Sequence, residues 1–577
     1  MSPQKPLANA NYDALVAKGN FCTNDEAQQR RKAFPHFALG ALALSACGSG
    51  PGGDDGQSDA NSVPSLGYSG NYKPPASTGN DVADPDQYAY TLAVAYSDPY
   101  WVGALIMDAG ESVIRDILDE HERNFGYAFP NDVPSYDLAG MERWGPSTEA
   151  MRAAAQEIFS EISLVLDVTF TETTKIDVNN VAVIGSSRQS GTAAMGFFPN
   201  PDFFVGSDVF IATDFDDPNW ITTSRTNYDY EVLLHEIGHA LGLKHPFEVD
   251  GENTVTLNSF EDRTKYTAMS YNDAAHTFDG TFRALDWMAL TKFYGVSPTH
   301  HAGDDTYAFS SAAGVFIIDG AGVDTIDLSQ ASMGSYVDLR PGMQSWLGQK
   351  AAYITSANQL TISHQSVVEN IIGGRGADRI VGNEADNVIF TGGGNDTIFA
   401  GDGADRVTTG NGADQVDFSE DEQAQDTIVL DLPGSDGLSD IIYGFAQGLG
   451  GDVIDLATLL TGVETLLPLV AVTSVPDGIV DGCVMQLVCE DISNAADLSL
   501  ALSDGGILET IDLSDGASAV FLVAANQDSG TEQDFYFGSR SGEVYSAVHL
   551  AEFRGDYMDI DHWTADNFNF SANDVIA

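Results

Sequence analysis

Residues 373–416 repeat a nine-residue unit, and no other feature of the chain restricts its possible folds so strongly. Every ninth position is an aspartate or asparagine, and an aliphatic residue follows two positions later. The polar positions are Asp378, Asn387, Asp396, Asp405 and Asp414, and the aliphatic positions are Ile380, Ile389, Ile398, Val407 and Val416. A disordered linker rich in glycine and aspartate has no reason to keep an aliphatic residue in each unit. The repeat therefore predicts short strands and tight turns stacked into a parallel β-roll, with two units in each coil.

The turns of this roll are expected to bind calcium. Glycine permits tight turns whose carbonyl groups point inward, aspartate adds a charged oxygen, and Ca²⁺ takes about six to eight oxygen ligands. "GGRGADRIV" (373–381) fits the unit in full, whereas "GNEADNVIF" (382–390) is degenerate. The expected calcium-binding positions are Gly374, Gly376, Asp378, Gly392, Gly394, Asp396, Gly401, Gly403, Asp405, Gly410, Gly412 and Asp414. The unit resembles the RTX calcium-binding repeats, which implies several structural calcium ions.

The chain as a whole is strongly acidic. It has 25 Lys and Arg residues against 85 Asp and Glu residues, which gives a net charge of -60. This charge argues against nucleic acid and against an anionic membrane surface as partners. It is compatible with simple solubility in a saline environment, but the ligand spacing of the acids in the repeat favours divalent cations.

A second motif begins at His235, in "HEIGHALGLKHP". Residues four apart lie on one face of a helix, so His235 and His239 can bind one metal ion, while Glu236 can reach a water molecule beside it. Gly242 can end the helix and let the chain turn back, which brings His245 in as a third ligand. Three imidazoles leave a fourth position of Zn²⁺ open, as in catalytic sites. A structural zinc site would close that position, and no cysteine lies nearby in the sequence to do so.

The complete spacing is the metzincin signature, and "AMSY" downstream is similar to its Met-turn, in which Met269 would form an apolar floor under the metal. With "ALDWMALTKFYG" and the calcium repeat, these motifs resemble the serralysins, secreted RTX zinc endopeptidases of bacteria, over about residues 98–420. The resemblance implies one catalytic zinc ion, protein or peptide substrates, and Glu236 as the group that accepts and returns a proton. It also implies that Tyr271 stabilises the oxyanion. By the same analogy, Ala193, Ala194 and Gly196 line the substrate through strand addition.

A different class of function stays open at this stage. The chain could be a catalytically inactive RTX surface or adhesion protein that keeps a vestigial peptidase domain. The intact Glu236 speaks against this alternative, because an inactive relative has no need of that carboxylate.

The fold expected from these patterns is an α+β metzincin catalytic domain followed by an all-β parallel roll and a C-terminal mainly-β domain. Helical spacing predicts helices at 148–167 and 284–297, and the catalytic domain is expected to begin with strands. The expected boundaries are an N-terminal extension (1–47), a linker or propeptide (48–88), the peptidase domain (89–298), the roll with its lead-in strands (299–420) and a C-terminal region (421–577).

Both ends of the chain carry possible export signals. Basic residues at 30–32, an apolar stretch at 33–46 and "LSAC" ending at Cys47 resemble a lipoprotein signal, which makes Cys47 a lipidation candidate. The end of the chain, "DVIA", resembles the signal used by type I secretion. We therefore expect an extracellular monomer, with a cell-surface lipoprotein as the alternative and a membrane contact only through that anchor.

Overall fold

The structure is a computed structural model. It describes residues 99–569 except for 109, 135–141, 177, 179, 190–191, 201–205, 213–223, 273–277, 421–423, 433–438, 458, 460–477, 480–483, 489–493, 503–510, 514–516, 525–531, 542–543, 556–562 and 564–566. The chain divides into two compact units, Met1–Ser297 and Pro298–Ala577.

The first unit combines five described helices with one six-stranded sheet. The helices are α1 (Tyr100–Gly103), α2 (Gly110–Glu120), α3 (Glu149–Val165), α4 (Tyr228–Ala240) and α5 (Ala284–Tyr294). The strands are β1 (Asn124–Ala128), β2 (Glu142–Pro146), β3 (Thr169–Glu172), β4 (Val181–Arg188), β5 (Ala194–Gly196) and β6 (Val209–Ala212). The expectation that strands come first was wrong, because two helices precede β1. The apolar positions of α2 give it one buried face, made by Ile114, Ile117 and Leu118.

The sequence of α3, the longest helix of this unit, explains where the helix begins and which face it buries. Thr148 caps it by accepting a hydrogen bond from the backbone N–H of Met151 at 3.2 Å, and Glu149 complements the positive end of the helix dipole. Its buried stripe includes Ile158 and Ile162. The helix predicted at 148–167 is thereby confirmed, with ends shifted by one or two residues.

The sheet places a free strand edge beside the motif helix. Its strand order is β3-β1-β4-β6-β5, with β2 paired to β4. The strands β3, β1, β4 and β6 are mutually parallel, whereas β5 runs antiparallel to β6. Because β5 is the last strand of this order, one of its edges has no strand partner among the described residues.

The second unit is built on a roll whose strands mostly alternate between two sheets and pair in parallel. The exception is the segment 335–362, whose three strands are antiparallel neighbours in one sheet. Its strands are β7 (Thr306–Tyr307), β8 (Val315–Ile317), β9 (Thr325–Asp327), β10 (Ser335–Asp338), β11 (Gln344–Leu347), β12 (Gln359–Ile362), β13 (Asn370–Ile372), β14 (Arg379–Val381), β15 (Val388–Phe390), β16 (Thr397–Phe399), β17 (Arg406–Thr408), β18 (Gln415–Asp417), β19 (Thr427–Val429), β20 (Asp440–Tyr443) and β21 (Val453–Asp455). The predicted all-β parallel roll is confirmed.

The nine-residue period sets the register of the roll. Ile380 pairs with Ile398 and Ile398 with Val416, so two units separate neighbours in one sheet. The other sheet pairs Ile389 with Val407 in the same way. These side chains are fully buried and form a single ladder between the sheets. Burial of a branched aliphatic side chain contributes about 1.5–3 kcal/mol, so the aliphatic position of each unit is what holds the coils together.

Seven further described strands and one helix confirm the predicted mainly-β C-terminal region. They are β22 (Gly478–Ile479), β23 (Val484–Val488), β24 (Ile511–Asp512), β25 (Ser518–Ala524), β26 (Glu532–Ser541), β27 (Val544–Arg554) and β28 (Phe568–Asn569), with helix α6 (Ala495–Leu502). The three strands between residues 518 and 554 form an antiparallel meander, and the other strands pair in parallel. The parallel strands of the roll run past residue 420 to β20 and β21, and these pair with β27 and β28. The domain boundaries themselves stay predictions. Among the described residues, no helix is long and apolar enough to span a bilayer.

Candidate active site and calcium loops

Helix α4 carries the first two histidines of the motif and ends where the sequence predicts. Gly242 has a φ of 96°, a left-handed conformation that favours glycine. The N–H of Leu243 donates to the carbonyl of Gly238 at 2.9 Å, which closes the helix end. The chain then reverses, and this turn brings His245 beside the helix.

The three predicted ligand side chains meet at one point. Nε2 of His245 lies 3.1 Å from Nε2 of His235 and 3.2 Å from Nε2 of His239. All three residues are buried. They form a group that could hold a metal ion, as the spacing predicts.

The hydrogen bonds of the Nδ1 atoms determine which kind of ligand fits between the three Nε2 atoms. Nδ1 of His235 lies 2.8 Å from the carbonyl oxygen of Ala268, and Nδ1 of His239 lies 2.7 Å from that of Leu243. Each Nδ1 therefore donates a proton to an oxygen, and each neutral ring turns an Nε2 lone pair toward the other rings. Burial lowers the pKa of His235 to about 3 and the pKa of His239 well below its usual value, with the neighbouring histidines adding to both shifts. Neutral rings with converging lone pairs fit a bound cation.

The third ring is held in the same manner. Nδ1 of His245 lies 3.0 Å from Oε2 of Glu248. The adjacent Lys244 is buried, and its ammonium group donates to the carbonyls of Ala104, Glu248 and Val255 at 2.8, 2.8 and 2.9 Å. Neither residue was identified from the sequence. Both fix the returning segment, and through it the third ligand.

The Met-turn lies under the helix as predicted. Met269 is fully buried, and a Cβ atom added to Gly238 would lie 2.6 Å from its sulfur. The turn is anchored by Asp286 of α5, which was also not identified. The carboxylate of Asp286 accepts hydrogen bonds from the Thr267 hydroxyl at 2.5 Å and from the N–H of Ala268 at 2.7 Å. It thus holds the peptide whose carbonyl orients His235.

Replacing Asp286 with alanine should weaken zinc binding by roughly 10–100-fold, because partners that orient metal ligands typically contribute this much. The loss would also leave buried donors of Thr267 and Ala268 without an acceptor, which lowers the free energy of unfolding. Zinc competition titration and thermal unfolding measure the two effects. The exposed Asp116 of α2 offers a control, since Asp116→Ala should change neither. Wild-type zinc affinity in Asp286→Ala would refute this role.

The two predicted catalytic side chains lie at the histidine cluster. Glu236 is fully buried on α4, between the first two ligands in sequence. The hydroxyl of Tyr271 lies 2.8 Å from Nε2 of His245, and its side chain is 41% exposed. The tyrosine therefore reaches the point where the three rings meet and is also open to solvent.

The residues predicted to line the substrate lie on or next to β5. The side chains of Ala193 and Ala194 are buried, so only their backbone groups can serve a ligand. Gly196 lies against α4, where an added Cβ atom would be 2.5 Å from the carbonyl oxygen of Glu236 and 2.9 Å from Cβ of His239. A glycine is required for this close approach of the strand to the helix.

The repeat forms turns of the expected kind. Six of the predicted glycines have positive φ values: Gly392, Gly394, Gly401, Gly403, Gly410 and Gly412. Within the turns, the backbone N–H of the residue at the Asp/Asn position of a unit donates to a carboxylate one coil further on. Asn387 donates in this way to Asp405, and Asp405 donates to Asp426, both at 2.8 Å.

Two of these carboxylates have an oxygen suited to a cation. Oδ2 of Asp405 and Oδ2 of Asp426 are buried and have no hydrogen-bond partner. Burial, followed by repulsion from neighbouring acids, raises the pKa of Asp405 to about 9 and that of Asp426 to about 7. Buried carboxylates in this state are ready ligands for Ca²⁺.

The first two units of the repeat differ from this pattern. The oxygens of Asp378 already accept hydrogen bonds from Ser335 and from the N–H of Gly374. At the degenerate unit, the amide of Asn387 donates to the carbonyl of Glu369 and to the side chain of Asn383, both at 2.9 Å. An amide network thus occupies the place that a carboxylate takes in the other units.

Several acids outside the nine-residue repeat, which the period does not reveal, extend the ladder. Asp426, Asp440 and Asp452 continue it with spacings longer than the 18 residues of a regular coil. A second group of possible metal ligands, made by His301, Asp305 and Asp319, lies in the lead-in strands. The lipidation candidate Cys47 and the two end segments lie outside the described residues.

Comparisons with known proteins agree with this geometry. Residues 132–276 match the family described as Matrixin, and residues 368–398 and 381–416 match the RTX calcium-binding nonapeptide repeat. Metallopeptidase AprA of Pseudomonas marginalis is 30% identical over 45% of this chain and 59% of its own length. Serralysin of Proteus mirabilis is 29% identical over 45% of this chain and 60% of its length, and serralysin A of Dickeya chrysanthemi is 30% identical over 48% and 63%.

The matched segments span less than two thirds of the length of these relatives. Among solved structures, a subunit of the Azotobacter vinelandii mannuronan C5-epimerase is similar at 19% identity over 36% of this chain and 84% of that chain. Its TM-score of 0.19 is too low to indicate a shared fold. The family matches and the converging histidines together support a serralysin-like metzincin domain followed by RTX calcium-binding repeats.

Proposed function

We propose that this chain is an extracellular zinc-dependent endopeptidase that hydrolyses protein substrates and whose second unit is stabilised by calcium. The observation that carries the proposal is the convergence of three neutral imidazoles through their Nε2 atoms, with every Nδ1 donating to an oxygen. Zinc held by His235, His239 and His245 would supply a Lewis acid that polarises a carbonyl group and acidifies water.

Glu236 is the proton carrier in this proposal. It lies next to His235 on α4 and is fully buried. The carboxylate accepts a proton from the attacking water and later delivers it to the leaving amine.

Tyr271 stabilises the charge that develops on the carbonyl oxygen of the substrate. Its hydroxyl is at the meeting point of the three rings, 2.8 Å from Nε2 of His245. A hydroxyl group placed where negative charge develops stabilises the transition state more than it stabilises the bound substrate. Because the ring is 41% exposed, it can meet a substrate that arrives from solvent.

The substrate is expected to bind as an added strand. β5 ends the strand order of the sheet, and Gly196 at its end lies against the helix that carries Glu236. An extended peptide paired with this strand would pass beside the catalytic carboxylate. Backbone pairing of this kind accepts many sequences, which suits a protein-degrading enzyme.

The calcium-binding turns favour an extracellular location, because calcium is abundant outside cells. The acids of these turns have few positively charged neighbours and therefore need the cation. Export through a type I secretion apparatus and a monomeric state belong to the same proposal, and a lipid anchor at Cys47 is the alternative. Mass spectrometry of the mature N-terminus would distinguish the two export routes.

Removing zinc should abolish hydrolysis of casein by the purified full-length chain. The experiment uses a zinc-selective chelator with calcium in excess, because loss of calcium would affect the second unit independently. Returning one equivalent of zinc should restore the rate. His245→Ala should lose bound zinc and activity, whereas His121→Ala, a histidine after α2, should lose neither. Full activity in protein that metal analysis shows to be free of zinc would refute the zinc mechanism, whereas zinc-loaded protein without activity would favour an inactive surface protein.

A further inference from the structure

Phe247, two residues after the third ligand His245, places an aromatic ring beside the histidine cluster. The ring of Phe247 stacks on the ring of His245, with centroids 5.1 Å apart and planes 7° from parallel. It also lies 5.1 Å from the ring of Tyr271, at 53°. The side chain is 38% exposed. One face of Phe247 is thus covered by a ligand ring, and much of the rest is open to solvent.

The segment that carries Phe247 is held firmly, so the ring cannot easily withdraw from solvent. The N–H of Leu257 donates to the carbonyl of Pro246 at 2.7 Å, and the N–H of Glu248 donates to that of His245 at 3.2 Å. The buried ammonium of Lys244 bonds to the carbonyl of Glu248 as well. A fixed, partly exposed aromatic ring offers contact area at little entropic cost on binding.

We propose that the open face of Phe247 forms the apolar wall of a substrate subsite, which selects a bulky apolar side chain beside the scissile bond. The inference rests on the proposed peptidase function and specifies its substrate preference. Consecutive Cα atoms of a peptide are about 3.8 Å apart. A ring that contacts both His245 and Tyr271 therefore lies within reach of a residue one or two positions from the bond that is cut.

The chemistry of this surface favours apolar groups and disfavours acidic ones. Contact between aromatic rings is favourable beyond the burial of their area. The carboxylate of Glu248 lies 3.0 Å from Nδ1 of His245, the ring on which Phe247 stacks, and with the net charge of -60 it makes an acidic substrate residue unfavourable there. Phe, Leu or Met at the matching substrate position should bind best.

The test compares pairs of peptides that differ only in one residue near the scissile bond, for example Phe against Ala. At the position that meets Phe247, wild-type protein should prefer Phe by about 10-fold in kcat/KM, within the range that apolar pockets achieve. Phe247→Ala should reduce this ratio to near 1. Phe247→Leu should retain most of it, and Tyr228→Ala should leave it unchanged. Tyr228 is an exposed aromatic residue seven positions before His235 on the same helix.

A ratio measured on one preparation is insensitive to partial loss of zinc or of folded protein, so the variant remains informative even if it is less stable. A binding measurement provides a readout independent of turnover. In a Glu236→Gln background, fluorescence anisotropy should show that Phe247→Ala weakens binding of the Phe peptide but not of the Ala peptide.

The outcomes separate the two proposals. If wild-type protein cleaves peptides but Phe247→Ala keeps the same preference at every position, the subsite assignment is wrong while the peptidase function stands. If zinc-loaded wild-type protein cleaves nothing, the proposed function falls. The subsite inference falls with it unless the anisotropy difference between the two peptides persists.

Discussion

Replacing Glu236 with glutamine should lower kcat/KM for peptide hydrolysis by roughly 10²–10⁴-fold, the range that a positioned general base contributes. Glutamine has nearly the same shape and leaves the three histidines in place, but its amide cannot accept a proton from water. Glu236 is fully buried beside His235, so solvent cannot easily substitute for it. The measurement is steady-state hydrolysis of a fluorogenic peptide with zinc and calcium present.

The control must show that only chemistry has changed. Zinc content and the thermal unfolding midpoint of Glu236→Gln should match those of wild-type protein, since the carboxylate is not one of the three converging ligands. Glu149→Gln, an exposed glutamate in the first turn of α3, should retain the wild-type rate. A Glu236→Gln protein that keeps more than about a tenth of wild-type activity would exclude Glu236 as the general base.

The ligand set could be predicted because it is encoded over a short stretch of chain. Helical geometry fixes the relation between His235 and His239, and the left-handed conformation of Gly242 sends His245 back toward them. The residues that support these rings could not be found in this way. Asp286 contacts Ala268 across 18 residues, and no period or spacing relates the two.

The same distinction applies to the roll. A strict nine-residue period predicted the register of Ile380 with Ile398 and the turns around it. Beyond the last regular unit the coils lengthen, with 21 residues between Asp405 and Asp426. The insertion hides Asp426 from a search for periodicity, although its side chain continues the ladder. Helices α1 and α2 were not predicted for another reason, because neither contains a residue of the metal-binding or repeat motifs.

Removing calcium should destabilise the second unit, and the loss should be greater at pH 8 than at pH 5. The buried carboxylates of Asp405 and Asp426 lie in one ladder, and Glu420 and Asp386 add negative charge near Asp405. With calcium bound, these charges are neutralised. Without it, the folded unit must either hold protons on the acids or keep unneutralised charges buried.

The direction of the pH effect follows from the pKa of each state. Burial raises the pKa of Asp405 to about 9 in the folded chain, far above the value of about 3.9 that is usual for an aspartate in an unfolded chain. The calcium-free folded state therefore binds more protons than the unfolded state between these values, and its free energy of unfolding falls as pH rises from about 4 to about 9. Calcium binding must displace those protons, so calcium affinity should increase over the same range.

Urea unfolding of the full-length chain, followed by circular dichroism at both pH values with and without calcium, measures this dependence. Asp405→Asn should make the calcium-free unit more stable at pH 8, because the amide is neutral without having to keep a proton that the unfolded chain releases, and should weaken calcium binding. Asn387 shows that an amide is compatible with a turn of this ladder. Asp431→Asn, at an exposed position of the same unit, should alter neither property. A calcium-free unit that is equally stable at pH 5 and pH 8 would contradict the assignment of these carboxylates as calcium ligands.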